Sequence, residues 1–362
     1  MPIRVGCCIT PHGFGHAARA CAIMEALSAQ CSVYFVVVTT VPEWFFAESL
    51  TAPYTLHPIS CDVGLVQRNS LEEDPGRTIE LLDRFYPLDR NLIDRVAALF
   101  GDCELVICDI APLGIAAAQR AGVVSVLVEN FTWDWIYQSY LEQWPGFNFH
   151  ISYLQQLYRG ADYHLQAEPV CNLVKCDLLT IPIARQGRQG PSVIRDRLRV
   201  AETDTLVLVT MGGVPGTKLP LARMAVMDQC FILPGQAEEN MVVQGNLRLL
   251  PPDSGIYHPD LVAACDAVIG KVGYSTLAEV YQAGIPFGYI CRPDFRESAP
   301  LATFINREMV SMEITWEQFN YNSWLDRVPE LCRLVPDRRN KENGAMAAAA
   351  FLADLLEPRC KP

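Results

Sequence analysis

The sequence predicts an α/β protein built from two Rossmann-like, doubly wound domains that face a cleft. Short β-branched runs alternate with helical stretches from the first residues, and this alternation indicates parallel sheets covered by helices on both faces. The chain has 362 residues, which at roughly 150 residues per domain suits two domains. A polar segment at 184–191 separates two alternating series and is the best candidate for a linker.

In the first series, apolar and β-branched runs predict strands, and apolar residues at helical spacing predict helices between them. The predicted strands are Ile3–Ile9, Val33–Thr39, Tyr54–Ile59, Leu105–Cys108, Val123–Val128, Ala161–Gln166 and Leu178–Ile183. The predicted helices are Ala17–Gln30, Ile79–Phe100 and Pro112–Ala121. An aromatic stretch at 131–144 either fills the core or an interface, or stacks on a ligand. Both interpretations stay open.

The second series has the same character and ends in an alanine-rich helix. Its predicted strands are Thr205–Thr210, Cys230–Leu233, Asn246–Leu250, Asp266–Ile269 and Pro286–Ile290, and the last helix is Glu342–Leu356. These patterns predict an N-terminal domain at 1–185, a C-terminal domain at 186–340, and a terminal helical segment at 341–362 that could pack back on the first domain.

The composition excludes several classes of function. Lys and Arg total 29 against 41 Asp and Glu, a formal net charge of −12, which argues against a nucleic-acid partner. The apolar run Cys31–Val41 is too short to span a bilayer, so we expect no transmembrane segment, although peripheral membrane contact stays open. The chain has 14 cysteines and no C-x-x-C pair. Several of them lie in apolar runs (Cys7, Cys8, Cys108, Cys265 and Cys291), which favours buried thiols and a cytoplasmic location. The oligomeric state is not indicated.

A glycine loop carrying two histidines follows the first predicted strand. It reads Thr10–His16, includes Gly15, and opens directly into a helix whose N terminus offers N–H groups and a positive dipole end. It lacks both the third glycine of a dinucleotide loop and the G-K-[ST] ending of a Walker loop. His16 is suited to act as a general base, or it caps the helix. His12 and His16 have no third ligand, so we predict no metal site.

Asp109 ends another predicted strand, Leu105–Asp109. The carboxyl ends of parallel strands share one edge of a sheet, so Asp109 and His16 could meet there. A carboxylate in that position would hold one imidazole tautomer and stabilise the protonated form. Alternatively, Asp109 caps the helix that begins near Pro112.

A second strand–glycine–helix segment lies at 266–286. Its helix opens with Tyr274, Ser275 and Thr276 after Gly273, and such an opening offers hydroxyl and N–H groups to a diphosphate. Lys271 could add a positive charge.

Two further features of this half fit the same ligand. Glu279 lies one turn into the helix, within reach of a ribose, or it is a solvated or helix-pairing glutamate. Gly212 and Gly213 follow the strand Thr205–Thr210 and could let their N–H groups approach a distal phosphate, or they form an ordinary turn.

Together these motifs resemble glycosyltransferases of the two-Rossmann-domain type, called GT-B, and in particular the UDP-glycosyltransferases and the lipid-linked GlcNAc transferase of peptidoglycan synthesis. The Gly15–His16 loop is similar to the loop whose histidine activates the acceptor in that family, and Leu105–Asp109 to the strand whose aspartate pairs with it. The segment Lys271–Pro286 is similar to the donor-nucleotide motif.

A closer resemblance is to the N-terminal transferase-like region of plant arabinokinase-type proteins. It rests on the segments Asp62–Gln67, Gly270–Thr276 and Arg292–Glu297. Three departures limit what carries over: Lys271 and Ser275 replace a histidine and an asparagine of the plant proteins, and no Asp-Gln pair follows Phe295. Glu297 is then the candidate for binding hydroxyls of the donor sugar, whose identity does not carry over.

The resemblance implies metal-independent, inverting transfer of a sugar from a nucleoside diphosphate sugar, expected to be a UDP-sugar, to an acceptor hydroxyl. His16 would be the base, Asp109 its partner, and His12, Asp62 and Gln67 would lie on the acceptor side. No cofactor is expected beyond the donor substrate, and the acceptor is not identified. The alternatives are a nucleotide-sugar 2-epimerase and a non-catalytic nucleotide-sugar-binding protein.

Overall fold

The computed structural model describes residues 2–69, 71–212, 219–337, 339 and 341–356. The chain divides into two compact units. The described residues of unit 1 fall within Met1–Val66, Glu73–Ala184 and Asn343–Pro362, and those of unit 2 within Gln67–Glu72 and Arg185–Glu342.

Unit 1 is built around a seven-stranded parallel sheet in the order β3-β2-β1-β4-β5-β6-β7. Its strands are β1 (Ile3–Ile9), β2 (Val33–Val38), β3 (Tyr54–His57), β4 (Leu105–Asp109), β5 (Val124–Glu129), β6 (Tyr163–Ala167) and β7 (Leu178–Thr180). Its helices are α1 (Gly15–Ser28), α2 (Glu43–Ser49), α3 (Pro75–Phe85), α4 (Arg90–Phe100), α5 (Pro112–Ala121), α6 (Trp133–Gln138), α7 (Phe147–Arg159) and the last helix, α15 (Gly344–Leu356).

Helix α5 packs closely on β1 and β4. A Cβ atom added at Gly114 of α5 would lie 2.5 Å from Cys8 Cβ and 2.8 Å from Cys108 Sγ, so only a glycine lets the helix approach this closely. Ile9 and Asp109 are partners in the β1–β4 register. The ends of the two strands therefore lie side by side.

The single helix predicted at Ile79–Phe100 is wrong. The structure has two helices there, α3 and α4, because Pro87 cannot donate a helical hydrogen bond and forces the preceding residue out of the helical conformation. Tyr86 accordingly has φ −114° and ψ 143°. Asp89 then caps α4 by accepting a hydrogen bond from the backbone N–H of Leu92.

Most of the aromatic stretch at 131–144 is buried in unit 1. Trp133, Trp135, Tyr137 and Tyr140 are buried, whereas Trp144 is 38% exposed. The rings of Trp133 and Tyr137 stack with their centroids 5.9 Å apart. These residues therefore serve mainly as core, as one of the two interpretations of the sequence expects.

The last helix, α15, belongs to unit 1 and packs against α1. Asn343, just before it, donates to the carbonyl of Ala184 at 2.7 Å and accepts from its N–H at 3.2 Å. A Cβ atom at Gly344 would lie 2.1 Å from the carbonyl oxygen of Ile181. This close backbone contact joins the start of α15 to the chain that leaves β7.

Unit 2 has a second seven-stranded sheet, in the order β10-β11-β9-β8-β12-β13-β14. Its strands are β8 (Leu206–Thr210), β9 (Cys230–Pro234), β10 (Val242–Gln244), β11 (Leu247–Leu250), β12 (Ala267–Lys271), β13 (Phe287–Ile290) and β14 (Ser311–Glu313). Its helices are α8 (Pro191–Arg197), α9 (Leu221–Met224), α10 (His258–Ala264), α11 (Tyr274–Ala283), α12 (Ser298–Glu308), α13 (Trp316–Asn320) and α14 (Val328–Leu331), with a 3₁₀ helix at Ser323–Arg327.

The predicted α/β class with two doubly wound sheets is confirmed. All pairings in unit 2 are parallel except that of β10 with β11. The sequence did not reveal β10 and β14, because these are three-residue strands at the edges of the sheet, too short to give a recognisable strand pattern. None of the described helices combines the length and apolar character needed to cross a bilayer.

Candidate functional site

His16 lies at the start of α1, directly beyond the carboxyl end of β1. Gly13, in the preceding turn, has φ 69°, a conformation that favours glycine. The imidazole is buried, and its Nδ1 atom lies 3.0 Å from Asp109 Oδ1. Asp109 is the last residue of β4. The structure therefore brings these two predicted residues into direct contact.

Two residues that sequence analysis missed complete the surroundings of Asp109. Arg19 donates from Nε to Oδ2 at 2.8 Å and from Nη2 to Oδ1 at 2.7 Å, so the guanidinium engages both carboxylate oxygens. Its Nη1 donates to Asn130 Oδ1 at 2.6 Å. The available signal was Arg19 itself, a charge in an otherwise apolar stretch of α1, three residues after His16 and therefore on the same helical face.

The electrostatics of Asp109 follow from these contacts. Burial by itself raises the pKa of this carboxyl, but the charge of Arg19 and the hydrogen bonds from His16 and Arg19 outweigh it, and the pKa of Asp109 is held below its usual value. Asp109 is therefore an anion in the interior. An anion only accepts hydrogen bonds, so the short contact with His16 requires a proton on Nδ1; in a neutral imidazole the lone pair is then on Nε2.

A second buried carboxyl, Asp62, contacts the first residue of the glycine loop that carries His16. Thr10 donates to its Oδ1 at 2.7 Å, and the indole N–H of Trp133 donates to its Oδ2 at 3.0 Å. Burial raises the pKa of Asp62 to about 7, although these two hydrogen bonds oppose the rise. Asp62 thus differs from Asp109 in changing its charge near neutral pH.

Trp133 connects Asp62 to both histidines. Its ring centroid lies 4.9 Å from that of His12 and 6.4 Å from that of His16. Gly64 leaves room for His12, because a Cβ atom there would lie 3.0 Å from His12 Nδ1. His12, Asp62 and His16 therefore lie around one indole, and Asp109 contacts His16.

Gln67 lies in the segment Gln67–Glu72, which belongs to unit 2, whereas the residues of this group belong to unit 1. The nearby Leu71 packs in the core of unit 2, in a cluster that includes Val209 of β8.

In unit 2, the predicted phosphate-binding residues lie around the start of α11. Gly273 precedes this helix, with φ −159° and ψ 148°. Lys271 ends β12 and lies across Gly212, because a Cβ atom there would be 3.1 Å from Lys271 Nζ. Gly212 also has φ 75°, a backbone conformation that favours glycine at this position. The fold thus brings Lys271 and Gly212 together, whereas Gly213 lies outside the described residues.

The three residues that open α11 differ in exposure. Tyr274 and Thr276 are buried, and Ser275 is half-buried. The first backbone N–H groups of a helix have no partner within the helix. Ser275 is therefore the side chain of this turn best able to reach a ligand beside them.

Glu279, one turn further along, is buried in an ion-paired cluster. Arg185 Nε donates to its Oε1 at 2.9 Å, and His258 Nδ1 donates to its Oε2 at 2.6 Å. Burial by itself raises the pKa of Glu279, but the charges of Arg185 and His258 hold it below its usual value. Sequence analysis missed both partners, since neither lies near Glu279 in the chain.

Glu297, at the start of α12, is buried beside a second arginine. Its Oε2 lies 3.9 Å from Arg292 Nη2, and the Arg292 guanidinium lies 3.3 Å from the centroid of the Phe295 ring. Among the residues that the structure describes, no three His, Cys, Asp or Glu side chains are grouped so that they could hold a metal ion.

Comparison with known proteins identifies this architecture. No family model matches the chain. L-arabinokinase from Arabidopsis thaliana is 26% identical over 362 residues, an alignment that covers 96% of this chain and 34% of that protein. The chain thus spans about a third of the length of this relative.

Solved structures match over nearly the whole chain. A UDP-glucosyltransferase from Polygonum tinctorium superposes with a TM-score of 0.61 at 12% identity, covering 99% of both chains. The spinosyn forosaminyltransferase SpnP gives 0.56 at 15% identity, covering 99% of this chain and 95% of its own. LpCGTa, solved in complex with UDP, gives 0.55 at 13% identity with the same coverage. The chain has the GT-B fold of glycosyltransferases.

The GT-B fold consists of two Rossmann-like domains, and the two groups of residues described above divide between them. Unit 1 carries the group around His16 and Asp109, at the carboxyl ends of β1 and β4. Unit 2 carries the group around Lys271 and Glu279, at the carboxyl end of β12 and on α11. Both groups lie where open α/β sheets bind ligands.

Proposed function

We propose that this GT-B chain is an inverting glycosyltransferase that transfers a sugar from a nucleoside diphosphate sugar to an acceptor hydroxyl. The observation that carries the proposal is the buried contact of 3.0 Å between His16 Nδ1 and Asp109 Oδ1 at the edge of the unit 1 sheet. In a neutral imidazole this contact keeps the proton on Nδ1 and leaves the lone pair on Nε2, which is the state a general base requires.

In the proposed reaction, Nε2 of His16 removes the proton of the acceptor hydroxyl. The acceptor oxygen attacks the anomeric carbon while the bond from that carbon to the diphosphate oxygen breaks, so a single displacement inverts the anomeric configuration. The nucleoside diphosphate leaves with the bonding electrons, and His16 carries the proton away as an imidazolium beside Asp109. General-base assistance of this kind contributes about 10²–10⁴-fold to the rate.

Unit 2 supplies the donor side of the proposal. The N terminus of α11, Lys271 and the loop of Gly212 and Gly213 would hold the diphosphate and balance the negative charge that grows on it as the bond breaks. This arrangement provides positive charge without a metal ion. UDP is the proposed nucleotide, supported by the UDP-glucosyltransferase and by the UDP complex among the structural neighbours.

Two glutamates are proposed to contact the rest of the donor. Glu279 would accept hydrogen bonds from ribose hydroxyls through the lone pairs that Arg185 and His258 leave available, and those two residues would hold its carboxylate in place. Glu297 would bind hydroxyls of the transferred sugar. Both residues are buried and next to arginines, which favours fixed, ionised acceptors.

The acceptor is proposed to bind on unit 1, near His12 and Asp62. A cytoplasmic location is also part of the proposal, because Cys7, Cys8 and Cys108 are buried free thiols. The kinase activity named for the Arabidopsis relative is not carried over, since the alignment covers 34% of that protein.

The first experiment is a thermal-shift screen against UDP, ADP, GDP and TDP, because a ligand that binds the folded state raises the melting temperature. We expect UDP to give the largest shift. UDP-sugars are then incubated with and without a library of hydroxyl acceptors, and products are identified by mass spectrometry and by NMR of the new anomeric centre.

Inversion at the anomeric carbon is the expected product stereochemistry. The proposal fails if none of the four nucleotides raises the melting temperature, which would remove the nucleotide site altogether. It also fails if a UDP-sugar is converted to its 2-epimer without acceptor, which would identify an epimerase, or if nucleotide binds and no sugar is transferred, which would identify a binding protein.

A further inference from the structure

Arg19 is a buried charged residue that lies beside His16. Its side chain is fully buried, as is that of Asp109, and it donates three hydrogen bonds, two to Asp109 and one to Asn130. Its Nη2 atom also lies 3.3 Å from His16 Nδ1. The interior of unit 1 thus holds a guanidinium, a carboxylate and an imidazole in mutual contact.

The hydrogen-bond capacities of these groups decide which imidazole nitrogen carries the proton. Guanidinium nitrogens only donate and carboxylate oxygens only accept, so His16 Nδ1 cannot serve both neighbours at once. Nη2 already donates to Asp109 Oδ1 at 2.7 Å, and Nδ1 lies 3.0 Å from that same oxygen. The Nδ1–H tautomer makes the 3.0 Å bond to Asp109, whereas the other tautomer replaces it with the longer 3.3 Å contact in which Nδ1 accepts from Nη2.

The charges of Arg19 and Asp109 decide whether the His16 imidazole is neutral or protonated. Arg19 is permanently charged and balances Asp109, so a protonated His16 would be a second cation 3.3 Å from Nη2 in a site shielded from water. Without Arg19, a protonated His16 would instead face an unbalanced carboxylate, and the resulting ion pair would hold the proton on the imidazole.

We propose that Arg19 is a positioning residue that keeps His16 neutral and protonated on Nδ1, so that Nε2 can accept the acceptor's proton. The inference rests on the proposed function, in which His16 is the base. It adds that the site works through a His–Asp–Arg cluster rather than a His–Asp pair.

A test must distinguish the effect of Arg19 from the effects of the other titratable groups around His16. Asp109 on β4 and Arg19 on α1 contact the imidazole directly, and His12 and Asp62 approach it through Trp133. The nearest groups from α6 and the chain before it, Trp133 and Phe131, carry no charge. Since Asp62 changes its charge near pH 7, pH profiles are recorded in the wild-type chain and in Asp62→Asn.

The test compares Arg19→Met, which removes the charge, with Arg19→Lys, which keeps the charge but loses the two-pronged contact. Arg84→Met, at an exposed position in the last turn of α3, is the matched control. Circular dichroism verifies folding, and Arg19→Gln replaces Arg19→Met if the latter does not fold.

The first readout is ¹⁵N NMR of the His16 imidazole at pH 7, which distinguishes Nδ1–H, Nε2–H and doubly protonated rings without any substrate. We expect Nδ1–H in the wild-type chain, Arg19→Lys and Arg84→Met, and a doubly protonated ring in Arg19→Met. An unchanged ring in the uncharged variant, or an Nε2–H ring in the wild-type chain, would overturn the proposal.

The second readout is the pH dependence of kcat/KM for sugar transfer. In Arg19→Met the acidic limb of the kcat/KM profile should move up by about one to three pH units. As a result, kcat/KM at pH 7 should fall at least about tenfold and recover at higher pH. Arg19→Lys should keep a profile close to that of the wild-type chain. An equal loss at every pH would show a merely structural role. If the wild-type chain transfers no sugar, the proposed function fails, and the NMR spectra still decide the role of Arg19.

Discussion

Trp133 donates its indole N–H to Asp62 at 3.0 Å, in contact with the rings of both His12 and His16. Asp62 is held by neutral donors, Trp133 and Thr10, whereas Asp109 is held by the guanidinium of Arg19. Burial therefore raises the pKa of Asp62 to about 7, while the pKa of Asp109 stays below its usual value. Neighbouring carboxyls with opposite shifts are typical of sites that handle protons.

The first prediction concerns stability. Because the pKa of Asp62 rises from 3.8 in the unfolded chain to about 7 in the folded protein, folding takes up a proton between these values, and the free energy of unfolding falls as pH rises through this window. Asp62→Asn removes that dependence. Relative to the wild-type chain, the variant should gain up to about 4 kcal/mol between pH 4 and pH 8.

Urea unfolding of both proteins at pH 4, 5, 6, 7 and 8 measures this difference. An asparagine side chain at this position can accept only one of the two hydrogen bonds that Asp62 receives. This loss lowers the variant's free energy of unfolding by about 1 kcal/mol at every pH and does not change how that free energy depends on pH. A difference in free energy that stays constant across the series would contradict the raised pKa.

The second prediction concerns the base. His16→Ala should lower kcat by about 10²–10⁴-fold, because the acceptor hydroxyl loses its proton acceptor, and the Kd for UDP measured by calorimetry should not change. Asp109→Ala should also lower kcat. Since the two residues act as one unit, the double variant should be no slower than His16→Ala; multiplied effects would mean that they act separately.

The third prediction concerns Glu279. Glu279→Gln should weaken UDP binding about tenfold, a loss of 1.4 kcal/mol, because the ribose hydroxyls lose an ionised acceptor. The buried Arg185 is left uncompensated, which should lower the free energy of unfolding by about 3–5 kcal/mol. Glu239→Gln, at an exposed position of unit 2, is the matched control and should change neither quantity.

Calorimetry with 2′-deoxy-UDP separates a ribose contact from a general loss of structure. The wild-type chain should bind UDP more tightly than the deoxy nucleotide, and Glu279→Gln should narrow that gap. Equal weakening of both nucleotides would assign Glu279 a structural role in the cluster with Arg185 and His258, and would remove it from the ribose site.

The fourth prediction tests the close packing of α5 against β1 and β4. Gly114→Ala places a methyl group 2.5 Å from Cys8 Cβ, so α5 must shift, and the free energy of unfolding should fall by about 1–3 kcal/mol. Gly101→Ala is the matched control, because its Cβ would have no neighbour nearer than 3.7 Å. Equal stability of the two variants in chemical denaturation would contradict the prediction that Gly114 is required for the close approach of α5.

The positions of His16 and Asp109 could be predicted from the sequence because strand ends are local features. An apolar run ending in a loop marks the carboxyl end of a parallel strand, and all such ends lie on one edge of the sheet. Gly114 adds what the pattern did not reveal, namely how closely α5 presses on β1 and β4. The helix predicted at 79–100 was wrong because apolar spacing outweighed the one residue, Pro87, that prevents a continuous helix.

The sequence by itself determined the α/β class, the positions of the main strands along the chain and the loops on which the candidate residues lie, because alternation and apolar runs are read from neighbouring positions. Only the tertiary structure decided which charges meet: Arg19 with Asp109, and Arg185 and His258 with Glu279. The physical reason is that a buried charge needs a partner, and a folded chain supplies that partner from whichever distant segment packs against it.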